Sequence, residues 1–537
     1  MHRSRGDLRT GWVCVLLACG SASFVACAST DSLNNEGFDN GGGGGPLSNA
    51  ASSSTASGAG GGSTLPPEQE LENNFGAPVA TGRYVWVANP SSGRVAYIDG
   101  KTLQIQIVDA GHGPTHLAAI PDADDDVAIV LNTLSNDATV LRAKEGALSS
   151  LNLPVHSGAN SWAVSPDGRW ATAWTDAKGI ENDDPLDGYQ AVSVLDLHTE
   201  STTQLSVGYR PQSLHYNEAS SRLLVVSEEG ITSIRLDSGS PSVQAHFPLT
   251  DDPLEDPDAR DVALTPDGKL ALVRRVEESV LNIYDTDDGS HVDIALPGAI
   301  TDLDLADNGA MAVAVMRAVG KVALIPCTTI VDDPTSLSII DVSATTVGSV
   351  SLPSDSSLAF LYTNAQPNDM LTVLDTALPT PTPRLIKLQS AVSSVFPTPD
   401  ASHALVLHSA PPVSSKYKSA ISLVPVEAQL PSKILGLESA PISVAMAPDN
   451  TQALLALGSL FDTPYQMVVA RFPSLEIDTY ALGSEPIAAG IVAGANSGFV
   501  AQQHPEGRIT FVDFKSGEVR TLTGFELATQ VVDGSTP

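Results

Sequence analysis

A short reversal of one kind recurs about every 45 residues along this chain, each time between two apolar runs. Its clearest copies are Ser165-Pro166-Asp167-Gly168, Thr265-Pro266-Asp267-Gly268, Thr398-Pro399-Asp400-Ala401, Ala447-Pro448-Asp449-Asn450 and Ile120-Pro121-Asp122-Ala123. Weaker copies stand at Asn217, Asp307, Pro353 and Ala495. Proline fixes φ at the first corner, and Asp followed by Gly or Asn accepts the tight turn, so each copy is a hairpin with a mechanism. A fixed period of this size means stacked copies of one supersecondary unit.

The flanking residues say what the unit is. A short apolar segment precedes each turn, as in Ser161-Trp162-Ala163-Val164 and Asp261-Val262-Ala263-Leu264. A β-rich run follows it, as in Val127-Ala128-Ile129-Val130-Leu131. After a variable loop comes a third run that often ends in Asp: Tyr97-Ile98-Asp99, Val194-Leu195-Asp196, Ile283-Tyr284-Asp285, Val373-Leu374-Asp375 and Phe511-Val512-Asp513. A fourth, of mixed polarity, closes the unit, as in Ile105-Gln106-Ile107-Val108. Four short strands per unit, with no window of sustained helical period, predict an all-β chain of propeller blades.

Tyr84-Val85-Trp86-Val87-Ala88-Asn89, Gly93-Arg94-Val95-Ala96-Tyr97-Ile98-Asp99 and Gly111-His112-Gly113-Pro114 follow one order, and Leu361-Tyr362-Thr363-Asn364 echoes a known tetrapeptide. In these residues the chain resembles the YVTN family of β-propeller repeats, from about Phe75 to the C-terminus. The resemblance implies that the segment before each Pro-Asp turn is the innermost strand and that the next three run outward. On that phasing the first unit, starting at Tyr84, lacks an inner strand. Residues 527–532 are expected to supply it and so to close the ring by joining the termini in one blade. Ten units are counted, against the four to eight blades of most propellers. Either the ring has ten blades, or degenerate units, weakest at 310–356, are insertions in a seven- or eight-bladed ring.

Three parts divide the chain: a signal at 1–27, a Gly/Ser-rich tether at 28–75, and the repeat domain at 76–537. Arg3, Arg5 and Arg9 precede the apolar stretch Trp12-Val13-Cys14-Val15-Leu16-Leu17-Ala18, which is a secretory pattern. That stretch is too short to cross a bilayer, which takes about 20 apolar residues. Phe24-Val25-Ala26-Cys27 resembles a bacterial lipobox, with Leu16-Leu17-Ala18-Cys19 as the alternative. Cys27 is therefore the expected lipidation site, and a flexible tether after it gives an anchored domain clearance from a membrane. A plain cleaved signal peptide is the third possibility. Neither cysteine is followed by Asp, which by resemblance to sorting signals points to the outer membrane. Cys327, left without a disulfide partner, is expected to be a buried small hydrophobe.

The net charge of −34 argues against nucleic acid and anionic lipid as partners, since both need a positive surface. Eleven His residues show no metal-binding helical spacing, and His112 and His116 lie in a Gly-Pro loop entering a strand. No nucleophile elbow or dinucleotide-binding glycine pattern is present in the sequence. Two acidic loops stand out: Glu181, Asp183, Asp184 and Asp187 in one, and Asp251, Asp252, Glu255, Asp256 and Asp258 in the other. Propeller geometry puts both on one face in neighbouring blades. They are candidate Ca²⁺ ligands, although the spacing is not that of an EF-hand and solvated loops are often acidic. Trp162, Trp170 and Trp174 are expected in blade packing, and the Arg274-Arg275 pair in local ion pairs with Glu277 and Glu278.

Fold does not give function, so two readings stand. One is a monomeric, lipid-anchored envelope propeller that binds a protein or glycan without catalysis. The other, implied by the YVTN resemblance, is a periplasmic enzyme similar to lactonases or quinone-dependent dehydrogenases. The enzyme would need polar side chains converging from the inner strands, where the sequence offers His116, Asn160, His215, Asp261 and Asp302.

Overall fold

The Pro-Asp reversals build themselves from their own side chains. In the computed structural model, Thr265 Oγ1 donates to Asp267 Oδ1 (2.7 Å) and accepts from the Leu270 amide (3.0 Å), while the Lys269 amide donates to Asp267 Oδ1 (3.1 Å). Gly268 sits at φ +69°, which few other residues adopt readily. The same contacts recur around Thr398, Asp400 and His403. The Asp that ends the third strand caps the next turn: Asp99 Oδ1 accepts from the amides of Lys101 (2.9 Å) and Thr102 (3.0 Å), and Asp196 and Asp513 do likewise. The motif residues that recur in the sequence thus serve the hairpins.

The structure describes residues 77–533, apart from 122–125, 145–146, 177–188, 238–239, 251, 253–254, 355–356, 379, 410–416, 428–429, 459–463, 505 and 525–530. Among these, ten antiparallel sheets follow one another, nine of four strands and a last of five. The chain is a ten-bladed β-propeller. Blades 1 to 10 span residues 79–109, 114–154, 161–206, 211–248, 260–295, 302–341, 349–387, 392–437, 441–481 and 486–523, with an additional strand Val531–Asp533 on the last. Segment 310–356 is no insertion, because residues 302–341 form an ordinary four-stranded blade.

Central strands such as Trp170–Trp174 and Arg222–Ser227 are buried along nearly their whole length, so both faces of each sheet must be covered. They are covered by the neighbouring blades. Ten apolar clusters fill the ten seams: Trp86, Val95 and Leu141 lie between blades 1 and 2, for example, and Leu272, Ile283, Ala314 and Ile325 between blades 5 and 6. Trp162 packs between blades 2 and 3, and Trp170 and Trp174 between blades 3 and 4, so the three tryptophans serve two seams. Cys327 is buried in the seam of blades 5 and 6, where burial pushes its thiol up to about 12.

Ring closure differs from the expectation. Blade 1 has its own inner strand, Val79–Thr81, paired with Tyr84–Asn89, and Trp86 Nε1 donates to Thr81 Oγ1 (2.7 Å). The strand escaped notice because it has three residues and turns at Thr81-Gly82-Arg83, without a Pro-Asp signature. The C-terminal strand Val531–Asp533 instead pairs with Val519–Thr523 on the outer edge of blade 10. The ring closes without a shared strand: Val85, Ile98 and Leu103 of blade 1 meet Val492, Phe499 and Phe511 of blade 10. The Gly494 amide donates to the Gly82 carbonyl (2.9 Å), and Arg520 Nη2 to the Lys101 carbonyl (2.9 Å).

A chain ending at Gly524 is therefore expected to melt close to the full-length protein and to stay monomeric. Phe499→Ala, by contrast, should lose about 3 kcal/mol through the cavity it opens in the closing seam. Thermal melting and gel filtration check both.

Candidate functional site

Antiparallel strands reverse direction, so the turns from second to third strand and the blade-to-blade connections emerge on one face. The strand ends that flank the two acidic loops, Trp174 and Ala191, and Pro248 and Arg260, lie on that face. Glu181, Asp183, Asp184, Asp187 and Asp251 lie outside the described residues, as does the side chain of Asp258. Asp252 and Asp256 are exposed. Glu255 has another role: Arg275 Nε donates to its Oε1 (2.7 Å), and Arg260 Nη1 stands 3.7 Å from Oε2. Arg260 is almost fully buried and also donates to the Glu228 carbonyl (2.8 Å). Arg275 reaches the Leu249 carbonyl (2.7 Å), which also accepts from Tyr284 Oη (2.7 Å). Glu255 thus pins the connection from blade 4 to blade 5 on two guanidiniums. Among the described residues no group of three or more His, Cys, Asp or Glu is arranged to hold a metal.

The Arg274-Arg275 pair also differs from the expectation. Adjacent strand residues point to opposite faces, so each arginine finds a partner on a different element. Arg275 takes Glu255, and Arg274 Nε donates to Asp261 Oδ2 (3.0 Å) on the neighbouring inner strand.

The histidines divide by burial. His156 lies between blades, with Nδ1 at 2.9 Å from Ser193 Oγ and Nε2 at 3.2 Å from Thr175 Oγ1, and burial pushes its imidazole down to about 4. His408 Nε2 meets Ser422 Oγ at 2.7 Å and is likewise lowered by burial. A hydroxyl at the same place on the third strand recurs from blade to blade. Thr139 accepts from the Gly111 amide (3.2 Å), Ser193 from the His156 amide (2.9 Å) and Thr232 from the Gly208 amide (3.1 Å). These hydroxyls tie each incoming connection to the blade it enters. His156 and His408 are parts of that tie.

Of the five polar residues His116, Asn160, His215, Asp261 and Asp302, four have partners near their side chains, and the buried Nε2 of His215 has no hydrogen-bond partner. His116 Nδ1 meets Thr115 Oγ1 (2.8 Å), and the His116 carbonyl accepts from Trp162 Nε1 (3.0 Å). Asn160 exchanges two hydrogen bonds with the Asp176 backbone (2.8 and 2.7 Å). His215 is held below the usual imidazole range by burial. Asp261 faces Arg274, and Asp302 accepts from the Val350 amide of the next blade (2.7 Å). The structure brings Asp261, Arg274 and Asp302 together; His116, Asn160 and His215 sit in blades 2 to 4, apart from that group. Sequence reading missed Asp304, whose signal was the alternation Asp302-Leu303-Asp304-Leu305, with two carboxylates on one side of an inner strand.

The chain matches no family model and no curated protein. Similar solved structures include the dihydro-heme d1 dehydrogenase NirN in complex with DHE, at 14% identity over 70% of this chain and 78% of that one, with a TM-score of 0.42. A eukaryotic initiation factor is 12% identical over 72% and 96%, with a TM-score of 0.48. Kuenenia stuttgartiensis hydrazine synthase is 14% identical over 76% and 95%, with a TM-score of 0.33. At this level of similarity no chemistry transfers to this chain.

Removing the Glu255 carboxylate takes from buried Arg260 its larger counter-charge and leaves the weaker pull of Glu228 against the repulsion of Arg275. Glu255→Ala is expected to cost about 3 kcal/mol, the penalty for breaking a buried pair from one side. Asp252→Ala, on an exposed side chain, should stay within about 0.5 kcal/mol of the parent. Denaturant unfolding of the two variants checks the difference.

Proposed function

We propose that this chain is a lipid-anchored protein of the bacterial envelope whose propeller is a non-enzymatic binding module for a protein or glycan partner. The observation that carries the reading is the set of long connections, unequal from blade to blade, on an otherwise uniform scaffold. One face carries the strand ends Trp174 and Ala191, Pro248 and Arg260, His408 and Ser419, and Leu457 and Gln466, each pair joined by a long connection. The other carries the self-bonded Pro-Asp reversals together with longer connections, between Pro326 and Ser338 and between Asp375 and Arg384. Variable loops on a rigid scaffold are where binding surfaces reside.

The inner strand of blade 1 begins at Val79 on that same loop-bearing face. A tether of 28–75 leading to it has a root-mean-square reach of about 40 Å if it behaves as a Gly/Ser-rich coil. That reach suits a domain held off a membrane by a lipid on Cys27. The exposed carboxylates Asp252, Asp256, Glu277 and Glu278 and the net charge of −34 suit a partner with basic groups and disfavour an anionic lipid surface. The likeness of residues 84–99 to YVTN repeats supports an extracytoplasmic setting.

Cys27→Ser should abolish palmitate labelling and move the protein from the membrane to the soluble fraction without changing its melting temperature. Retention in the membrane, with loss on Cys19→Ser, would move the anchor; retention in both would remove it. Envelope extract passed over immobilised 76–537 should yield a partner whose binding weakens with salt and with Asp252→Asn, Asp256→Asn. Capture unaffected by either would place binding elsewhere.

A further inference from the structure

The inner strands Asp302–Leu305 of blade 6 and Ser349–Ser351 of blade 7 are joined by side chains. Ser349–Ser351 pairs on one edge with Leu358–Tyr362, which leaves alternate amides pointing from its other edge. Asp302 Oδ2 accepts from the Val350 amide (2.7 Å), and Asp304 Oδ2 from the Leu352 amide (2.9 Å). Each carboxylate also accepts on Oδ1 from the residue after it, Leu303 or Leu305, at 2.9 Å. Thr301 Oγ1 adds a third rung by donating to the Gly348 carbonyl (2.9 Å). Two carboxylates, two residues apart, thus replace a strand ladder between the blades.

Their counter-charges are few. Asp302 is buried and faces Arg274 of blade 5, a guanidinium already engaged by Asp261. Asp304 faces Asp302 and Asp307, both acidic. Ser349–Ser351 itself carries no titratable side chain. Burial holds Asp302 up at about 6, against the pull of Arg274. Burial and then the neighbouring Asp302 charge hold Asp304 up at about 7. Two interacting carboxyls of this kind titrate as a pair.

We infer that the seam between blades 6 and 7 is an acid-locked joint, closed while the Asp302/Asp304 pair retains a proton and loosened when both carboxylates are ionised. Opening the seam returns the carboxyls to water and to the ordinary carboxylate range, so the open state releases a proton that the closed state holds. Rising pH therefore favours opening, beginning above the ordinary carboxylate range and completing as pH passes about 7. Below that window the joint is fully locked.

Hydrogen exchange of the full chain, corrected for intrinsic rates, tests this at pH 5.5 and pH 8. Protection of the 348–352 amides should fall at least tenfold over that interval, while amides of the blade 2 and 3 seam hold steady. Asp302→Asn, Asp304→Asn keeps side-chain shape and an acceptor while removing titration, so its protection should be flat with pH. Asp307→Asn should keep the fall. Should the double variant not fold, Asp304→Asn alone must shrink the fall at least threefold. A pH-independent wild type, or a fall of undiminished size in the Asn variants, overturns the joint.

Discussion

Everything in this ring depends on the burial of both faces of each blade. A sheet whose central strands are apolar throughout cannot be an end piece, because an uncovered face would expose a row of Val, Ile and Leu to water. Ten blades therefore need ten seams, and the tenth is supplied by blades 1 and 10. No strand is exchanged there. The apolar contact of Ile98 and Leu103 with Phe499 and Phe511 closes the circle, and the Gly494–Gly82 backbone bond with the Ser497 and Arg520 side-chain bonds fixes its register. Ring size then follows from the number of units that interdigitate, and nothing in the repeat itself limits it to eight.

The same burial explains where polar side chains are put. Within a blade they hold reversals at the strand ends, or tie incoming connections from inside the third strand as Thr139, Ser193 and Thr232 do. Asp267 and Asp400 shape turns, Asp99 and Asp196 cap them, and Ser193 with His156 ties one blade to the connection from the last. A recurring Asp or buried His in this fold is accounted for by geometry before any chemistry is invoked. What varies from blade to blade, and has no turn to build, is the better guide to function. That points to the long connections between strands.

How much of this could be read from residues alone follows from the range of each signal. The hairpins were legible because Ser/Thr-Pro-Asp-Gly acts within five residues, and Trp162 was legible as a packing residue because strand alternation is local. The inner strand Val79–Thr81 was not, since three residues with a Gly turn carry no period. The C-terminal strand was misassigned for a related reason: a surplus strand and a missing one suggest each other, but partner choice is settled by distant packing. Glu255 looked like one of several loop carboxylates. Its two arginines stand 5 and 20 residues onward, at Arg260 and Arg275, a relation that only the folded blade reveals.

The inner strands raise a problem that the seams do not solve. Each has one edge facing the channel with no strand to pair it, and ten such edges line the ring. Neighbouring inner strands lie close enough for a short side chain to span them. Ser443 Oγ accepts from the Ala489 amide (3.0 Å) across blades 9 and 10, and Trp162 Nε1 donates to the His116 carbonyl across blades 2 and 3. Asn364 Nδ2, just past the second strand of blade 7, reaches the Ser393 carbonyl on the inner strand of blade 8 (3.0 Å). Side-chain bonds thus stitch the inner circle where backbone ladders cannot. Neutral Ser, Asn and Trp do this without regard to pH. A carboxylate in the same position accepts a stronger bond when ionised but loses more solvation to make it. Where two such carboxylates adjoin, as Asp302 and Asp304 do, that balance depends on their protons. The stitch between blades 6 and 7 then differs in kind from the neutral ones, although it fills the same gap.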